Sequence, residues 1–241
     1  MKHRLYLQEV HDAGQQMALG TEESHYLLRV LRLQQGTEFI CFNGNGAEWR
    51  ASITHVDRRR CSILVHEKLR EQLQPIVALH LAHAWLKGTA MDTVTQKATE
   101  LGITDLWPLN TSRSQVQLPA DRTSNKLRHW RQITRSACAQ SGRLLLPQIH
   151  EPTTLEALLD EPPTATCLFF DTDQPPLQLP GDVSSLTIII GPEGGWTAQE
   201  RALAAGAGAT LCGLGDLTLR AETVATVVLA AIRHSWGWRL G

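Results

Sequence analysis

The sequence lacks the features of membrane, secreted and metal-dependent proteins. Its longest weakly polar run, residues 224–232, is far too short to cross a bilayer, and no apolar region of a secretory signal follows the first residues. The five cysteines are scattered, odd in number and without a C-x-x-C pair, which argues against disulfides and against a zinc site. No histidine stands at metal-ligand spacing from a carboxylate. We therefore expect a cytoplasmic protein that holds no metal and enters no membrane.

Common signatures of phosphate binding and of nucleophilic catalysis are also missing. No G-x-x-x-x-G-K-[ST] loop occurs, and the G-x-G strings at 44–46 and 213–215 lack the third glycine of a dinucleotide fingerprint. His80 and His83 have no H-E-x-x-H spacing, and no serine lies in a nucleophile elbow. The pattern favours a ligand that is bound by backbone amides and carbonyls, such as an adenosine-containing cofactor without phosphates.

The near-neutral formal charge of −1 conceals two segments of opposite sign. Residues 111–150 hold seven Lys or Arg and one acid, whereas residues 151–200 hold nine acids and no Lys or Arg. A basic block of this kind binds polyanions such as RNA, although a solvated helix face has the same composition. The charge pattern thus leaves both interpretations open.

Residues 1–70 are typical of a small β-rich unit with one helix. Strand-like runs at 38–42 and 48–53 flank Asn-Gly turn residues and predict a hairpin, and 61–65 predicts another strand. Thr21 is expected to cap the helix. The apolar face of this helix is predicted to contain Leu27, Val30 and Leu31. A basic stripe at i, i+4 and i+7, either solvated or in contact with phosphates, contains His25, Arg29 and Arg32.

After a linker at 71–75, strands alternate with helices, which predicts a parallel α/β sheet covered on both faces. Strands are expected at 76–81, 103–109, 165–170, 186–190 and 209–212. Gly102 is expected at a helix C′ position, and capping boxes are expected to begin at Thr153 and Thr197. The predicted inward residues are Leu127, Trp130, Ile133 and Ala137 in the basic helix and Val224, Val227, Val228 and Ala231 in the last helix.

Three polar loops follow predicted strands, at 170–173, 191–195 and 213–220, and the last two contain glycine. Ligands of open α/β sheets bind at the carboxyl ends of the strands, and glycine lets the backbone approach a ligand closely. One such loop is more often a tight turn than a binding site. Three on one edge favour a site.

Several strings occur in a characteristic order along nearly the whole chain. Residues 190–196 read I-G-P-E-G-G-W, and L-R-A-E-T follows at 219–223. K-A-T-E-L-G stands at 97–102, Q-S-G-R at 140–143 and H-Y-L-L-R-V-L-R at 25–32. G-P-E-G-G alone recurs across several SPOUT enzymes. The combination resembles the ribosomal small-subunit RNA (uracil-N3) methyltransferase family of the SPOUT superfamily.

The resemblance implies an α/β fold in two domains. Residues 1–72 would form a PUA-like, RNA-binding β-barrel, and residues 73–241 a SPOUT catalytic domain whose parallel sheet ends in a deep trefoil knot. It also implies a homodimer, S-adenosylmethionine as the cofactor, and methylation of N3 of one uridine in 16S ribosomal RNA of the small subunit. Two alternatives stay open: a SPOUT methyltransferase that acts on another RNA, and a non-catalytic ribosome-assembly factor that binds RNA.

The expected cofactor-binding residues lie in the three loops and the strands before them. They are Phe169, Phe170, Ile190, Gly191, Pro192, Glu193, Gly194, Gly195, Leu214, Gly215, Leu217, Leu219 and Thr223. Leu217 stands where members of this family commonly have an arginine, so another basic residue would have to make any contact of that arginine.

Methylation of uracil N3 requires that a proton leave and that the negative charge on the neighbouring carbonyl oxygens be stabilised. Arg220 and Arg143 are the candidate cations, and Glu222 is the candidate proton acceptor. An Arg220–Glu222 ion pair and a phosphate contact of Arg143 are the competing interpretations. The expected RNA-binding residues are Arg4, His25, Arg29, Arg32, Arg113, Ser114, Arg131, Arg135 and Gln140.

Overall fold

The computed structural model describes residues 3–72, 77–114, 120–179, 181 and 183–237. Backbone packing divides the chain into a first unit, Met1–Gln74 with Cys138–Leu146, and a second unit, Pro75–Ala137 with Pro147–Gly241. Residues 73–75 of the predicted linker and Ile76 of the predicted strand lie outside the described residues. The boundary between residues 72 and 73 stays a prediction.

The first unit contains a five-stranded sheet in the order β1-β3-β4-β5-β2. Strand β1 pairs with β3 in parallel, and the other pairs are antiparallel. The predicted hairpin is confirmed as β3 and β4, and the strand predicted at 61–65 lies within β5. The strands are β1 (Arg4–Tyr6), β2 (Gln16–Ala18), β3 (Glu38–Phe42), β4 (Ala47–Asp57) and β5 (Arg60–Glu71).

The helix of the first unit departs from the predicted pattern. It is a short α1 (Thr21–His25) continued by a π-helical turn (Tyr26–Val30). Gly20 is the N-cap residue and makes no side-chain cap, so the prediction for Thr21 is wrong. Because a π-turn holds more residues than an α-turn, the i, i+3, i+4 pattern fails here. As a result Val30, predicted inward, is 55% exposed.

Arg32 does not continue the basic stripe of this helix. Its φ of 55° places it in the left-handed region, one residue past the C-cap Leu31. The amide of Leu33 then donates to the carbonyl of Leu27 over 2.9 Å, which closes the helix end. Only His25 and Arg29 share the helix.

The second unit is built on a parallel sheet in the order β12-β10-β11-β6-β7-β8, with β9 paired to β7. Every pair is parallel, as the alternation of strands and helices predicts. The strands are β6 (Ala78–Ala84), β7 (Asp105–Asn110), β8 (Gln148–Ile149), β9 (Thr153–Thr154), β10 (Cys167–Phe170), β11 (Ser185–Ile190) and β12 (Thr210–Cys212). The helices from residue 90 onward are α2 (Ala90–Glu100), α3 (Ala120–Ser141), α4 (Leu155–Asp160), α5 (Ala198–Gly206) and α6 (Ala221–Ser235). The last residues of α3 belong to the first unit.

In the second unit, two of the three helix-end predictions are confirmed. Gly102 has a φ of 89° after α2, and the amide of Ile103 donates to the carbonyl of Ala98 over 3.1 Å. Thr197 and Glu200 form a complete capping box before α5. The capping box predicted at Thr153 is wrong. Thr153 pairs with β7 in the sheet, and the next residue, Thr154, caps α4.

The long helices pack largely as predicted. Leu127, Trp130 and Ala137 of α3 are buried, and Ile133 is half-buried. In α6 the buried face includes Val228, but Val227 is 39% exposed, which corrects the prediction for that residue. The other buried apolar residues of α6 are Ala221, Ala225, Leu229 and Ile232. In the described part of the chain no helix is long and apolar enough to span a membrane.

Candidate ligand cavity at three strand ends

The three predicted loops meet at one edge of the parallel sheet. They leave β10, β11 and β12, and β10 lies between the other two strands. The loops enclose a cavity of about 710 Å³, including its open mouth. Its lining residues are Phe170, Asp171, Thr172, Ile190, Gly191, Pro192, Glu193, Gly195, Trp196, Gly213, Leu214, Gly215, Leu217, Thr218, Leu219, Ala221 and Val224. Apolar side chains together with a few polar groups form this lining, as in sites for small organic ligands.

Trp196 fixes the loop after β11 to the end of β10. Its indole Nε1 donates to the carbonyl oxygen of Phe170 over 2.9 Å, and its ring packs on Phe169 with centroids 4.5 Å apart. A Cβ on Gly191 would lie 2.7 Å from this indole. The indole thus requires glycine at 191, and the backbone at that position is left open to the cavity.

Backbone hydrogen bonds hold the loop after β12 against the segment that follows β10. The amide of Gly213 donates to the carbonyl of Pro175 over 2.8 Å, and the amide of Leu177 donates to the carbonyl of Gly213 over 2.9 Å. A Cβ on Gly213 would lie 2.8 Å from the carbonyl oxygen of Gln174. Beyond it Gly215 turns with a φ of 98°, which glycine adopts readily.

A further turn, residues 111–114, is attached to the cavity loops. The buried Glu200 carboxylate accepts hydrogen bonds from the amide of Ser112 over 2.9 Å and from the amide of Thr197 over 2.8 Å. Burial raises the pKa of Glu200, but these hydrogen bonds lower it more, so its pKa lies below the ordinary 4.5. Arg113 donates to the carbonyl of Gly194 over 3.0 Å. This predicted RNA-binding arginine therefore lies beside the cavity.

His83 lies fully buried at the end of β6, near the start of α6. Its Nδ1 is 2.7 Å from the carbonyl oxygen of Ala84, and its Nε2 is 3.3 Å from that of Ala221. Burial lowers the pKa of His83 below 6.5, against the smaller opposing effects of these carbonyls and of Glu193 and Glu222. A neutral imidazole donates to one of the two carbonyls only.

Most predicted cofactor residues line the cavity, and three do not. Phe169 is buried in the core against Trp196, while Gly194 and Thr223 lie beside lining residues. Leu217 lines the cavity with 79% of its surface exposed. The residues missing from the prediction are Asp171, Thr172, Trp196, Gly213, Thr218, Ala221 and Val224. Asp171 and Thr172 had a signal, since they directly follow β10 in one of the three loops.

The candidate catalytic residues fall in both units. Arg220 is the exposed N-cap residue of α6 without a side-chain cap, and Glu222 is half-buried in the first turn. No ion pair joins Arg220 to Glu222 among the ion pairs of the described residues. Arg143 belongs to the first unit, where its side chain is buried and burial lowers its pKa.

The predicted RNA-binding residues of the first unit differ in accessibility. Arg4 is nearly buried: it pairs with Glu48, donates to the carbonyl of Arg143 and lies over the Phe42 ring. The exposed residues of the set are His25, Arg29, Arg32 and Gln140.

In the second unit Ser114 shares a hydrogen bond of 2.7 Å with the hydroxyl of Thr111. Arg131 donates to the carbonyl of Ile149, and Arg135 lies exposed one turn further along α3. The described residues contain no group of three or more His, Cys, Asp or Glu that could hold a metal ion.

Comparison with known proteins identifies two family models along the chain. An RNA methyltransferase domain matches residues 72–233, and an RNA methyltransferase PUA domain matches residues 19–65. The Ribosomal RNA small subunit methyltransferase E of Synechocystis sp. is 34% identical over 90% of this chain and 72% of its own length. Its counterpart in Bacillus subtilis is 28% identical, over 88% of each chain.

Two solved structures share the whole fold. A methyltransferase from Legionella pneumophila in complex with the bound cofactor SAM has a TM-score of 0.93 at 30% identity, over 98% of both chains. The Ribosomal RNA small subunit methyltransferase E of Neisseria gonorrhoeae, bound to S-adenosyl methionine, has a TM-score of 0.89 at 28% identity, also over 98% of both chains.

Proposed function

The chain belongs to the family of RNA methyltransferases with an N-terminal PUA domain, and from that membership we propose that it methylates N3 of one uridine in 16S ribosomal RNA of the small subunit. S-adenosylmethionine is the methyl donor. The observation that carries the proposal is the cavity formed by the loops after β10, β11 and β12, which have the order and the glycines of a site for an adenosine-containing ligand.

The cavity fits this cofactor in chemistry. No Lys or Arg is among the described residues that line it, as suits a ligand without phosphates. Backbone groups at Gly191, Gly195 and Gly215 would contact the adenosine and methionine parts. When bound, the cofactor supplies an activated methyl group, so the protein has mainly to position the acceptor.

The residues of this chain act on the acceptor base. Arg220, exposed at the end of the third loop, stabilises the negative charge that develops on the uracil carbonyl oxygens as N3 loses its proton. Glu222, in the next turn, accepts that proton. Arg143 is the second proposed cation.

The same membership supports the proposed architecture. Residues 1–72 are the PUA-like RNA-binding domain, and residues 73–241 are the SPOUT domain with a C-terminal trefoil knot. We also propose a homodimer, as the family resemblance implies. We place the enzyme in the cytoplasm, where ribosomal subunits are found.

Two measurements test whether the protein is an enzyme. Calorimetry should detect binding of S-adenosylmethionine, and labelled methyl should pass to small ribosomal subunits that lack the modification. If the protein binds the cofactor but transfers no methyl group to ribosomal RNA, the result would favour an enzyme that acts on another RNA. The absence of cofactor binding would favour the assembly-factor alternative.

A further inference from the structure

The first unit contains a groove bordered by two basic elements that are far apart in sequence. The helix α1 and its π-turn contribute His25 and Arg29, and the turn between β4 and β5 contributes Arg59. Glu22, in the first turn of α1, is the one carboxylate among the lining residues. The basic stripe predicted at 25–32 contains His25 and Arg29, but it does not contain the arginines of the hairpin turn.

The two sides of this basic groove are held in fixed positions. The Ser24 hydroxyl of α1 accepts a hydrogen bond from the amide of Cys61 over 3.1 Å, and the amide of Leu19 donates to the carbonyl of Cys61 over 2.9 Å. Cys61 is the second residue of β5, two positions after Arg59. These hydrogen bonds therefore hold the backbone of α1 against the start of β5 before any ligand binds.

Among the described residues of the first unit, no ion pair involves the arginines of the groove. Arg29, Arg58 and Arg59 are exposed, and none of them takes part in the ion pairs found among residues 3–72. Arg50 of the same unit, by contrast, pairs with Glu67 over 2.6 Å and also contacts Glu38. Unpaired guanidinium groups on a rigid frame retain their full capacity to bind phosphate.

The hairpin turn uses arginine where glycine or asparagine would be less strained. Arg58 has a φ of 45°, in the left-handed region that L side chains rarely adopt. With Arg59 it forms the two-residue connection between Asp57 and Arg60. Two-residue hairpin turns require this backbone conformation, and the tight turn keeps Arg58 and Arg59 next to each other.

We propose that this basic groove binds the phosphodiester backbone of RNA through Arg29, Arg58 and Arg59. The contact is independent of sequence and lies on the first unit, so it orients the RNA without selecting the base. The exposed Tyr26 and Val30 on the adjoining helix surface offer an apolar face for an unstacked base. This inference rests on the proposed action on RNA, and it adds the hairpin turn as a second phosphate-binding element.

The test measures binding of a generic RNA hairpin of about 30 nucleotides to the full chain at several salt concentrations. Each phosphate contact contributes about 0.7 to 0.9 to the slope of log K against log salt. The double variant R29Q/R59Q should therefore lower the slope by about 1.4 to 1.8 and weaken binding about tenfold or more near 0.1 M salt. The matched control R50Q removes an exposed arginine that already has carboxylate partners, and it should leave the slope unchanged.

A slope for R29Q/R59Q equal to that of the wild type, with unchanged melting temperature, would overturn the inference. A slope lowered as much in R50Q as in R29Q/R59Q would also overturn the inference, because it would show a general effect of charge. Cofactor binding and methyl transfer of the wild type are measured in parallel. If the wild type transfers methyl groups and R29Q/R59Q has the wild-type slope, only the role of the groove is rejected. If R29Q/R59Q has a lower slope but the wild type transfers no methyl group, only the proposed function is rejected.

Discussion

Arg70 donates a hydrogen bond of 3.0 Å from Nη2 to the carbonyl oxygen of Gly142, which lies 72 residues further along the chain. The Nε of the same arginine contacts the buried Glu48 carboxylate over 2.6 Å. Arg4 binds the other oxygen of Glu48 and donates to the carbonyl of Arg143. One buried carboxylate thus holds two arginines, which in turn hold the Q-S-G-R segment in the first unit.

Replacement of Glu48 by Gln should destabilise the first unit strongly. The change leaves the nearly buried Arg4 without its counter-charge, which costs about 3 kcal/mol or more in the free energy of unfolding. Urea denaturation of the two proteins measures the difference. The control Glu67→Gln removes the exposed partner of Arg50 and should cost less than about 1 kcal/mol. Equal losses in both variants would contradict the role of Glu48.

Gly191→Ala should weaken cofactor binding, because the added Cβ would lie 2.7 Å from the Trp196 indole and force the loop to shift. We expect a loss of about tenfold or more in affinity for S-adenosylmethionine, measured by calorimetry. The control Gly206→Ala adds a methyl group with no atom within 4 Å and with an ordinary helical backbone, so affinity should not change. Retained affinity in Gly191→Ala would show that the indole does not position this loop.

The stability of the second unit should depend on the ionisation of His83. Burial lowers the pKa of His83 in the folded chain below 6.5, so the unfolded chain binds the proton more readily. The free energy of unfolding therefore falls as the pH falls below 6.5, by at most about 1.4 kcal/mol per pH unit from this residue.

Denaturation of the wild type and of His83→Gln at pH 7.5, 6.5 and 5.5 measures this dependence. The variant should lose most of the slope below pH 6.5, whereas the control His11→Gln, at an exposed position, should keep it. An unchanged slope in His83→Gln would assign the pH dependence to other groups.

Arg220→Ala should lower kcat about a hundredfold with little change in cofactor affinity, since the guanidinium is needed where charge develops on the base. Arg220→Lys should retain part of kcat, because a cation remains. Glu222→Gln should lower kcat less. If Arg220→Ala changes only the KM for RNA, the arginine is a binding contact and not part of the chemistry.

Much of the architecture follows from local patterns in the sequence. Alternating strands and helices predict the parallel sheet, and the C′ position of Gly102 and the Thr197 capping box are confirmed. These features depend on residues within one turn or one strand. The three loops share an edge because parallel strands direct all their carboxyl ends to the same side.

The errors have their origin in contacts that are distant in sequence or in local irregularity. A π-turn moves Val30 to the surface and takes Arg32 off the helix, which regular periodicity does not anticipate. The position of Arg4 depends on Glu48 and on a segment near residue 143. Local sequence does not distinguish Trp196 from an ordinary apolar residue. Its role in fixing the loop depends on the carbonyl of Phe170 in the neighbouring strand.

The central claim is tested most directly by nucleoside analysis of small-subunit ribosomal RNA after incubation with this protein and labelled S-adenosylmethionine. The subunits come from cells that lack the modification. The label should be found in N3-methyluridine, at one position of the RNA. Label in another base or on a ribose hydroxyl would contradict the proposed specificity. If the protein binds the cofactor but the RNA carries no label, the proposed substrate is contradicted.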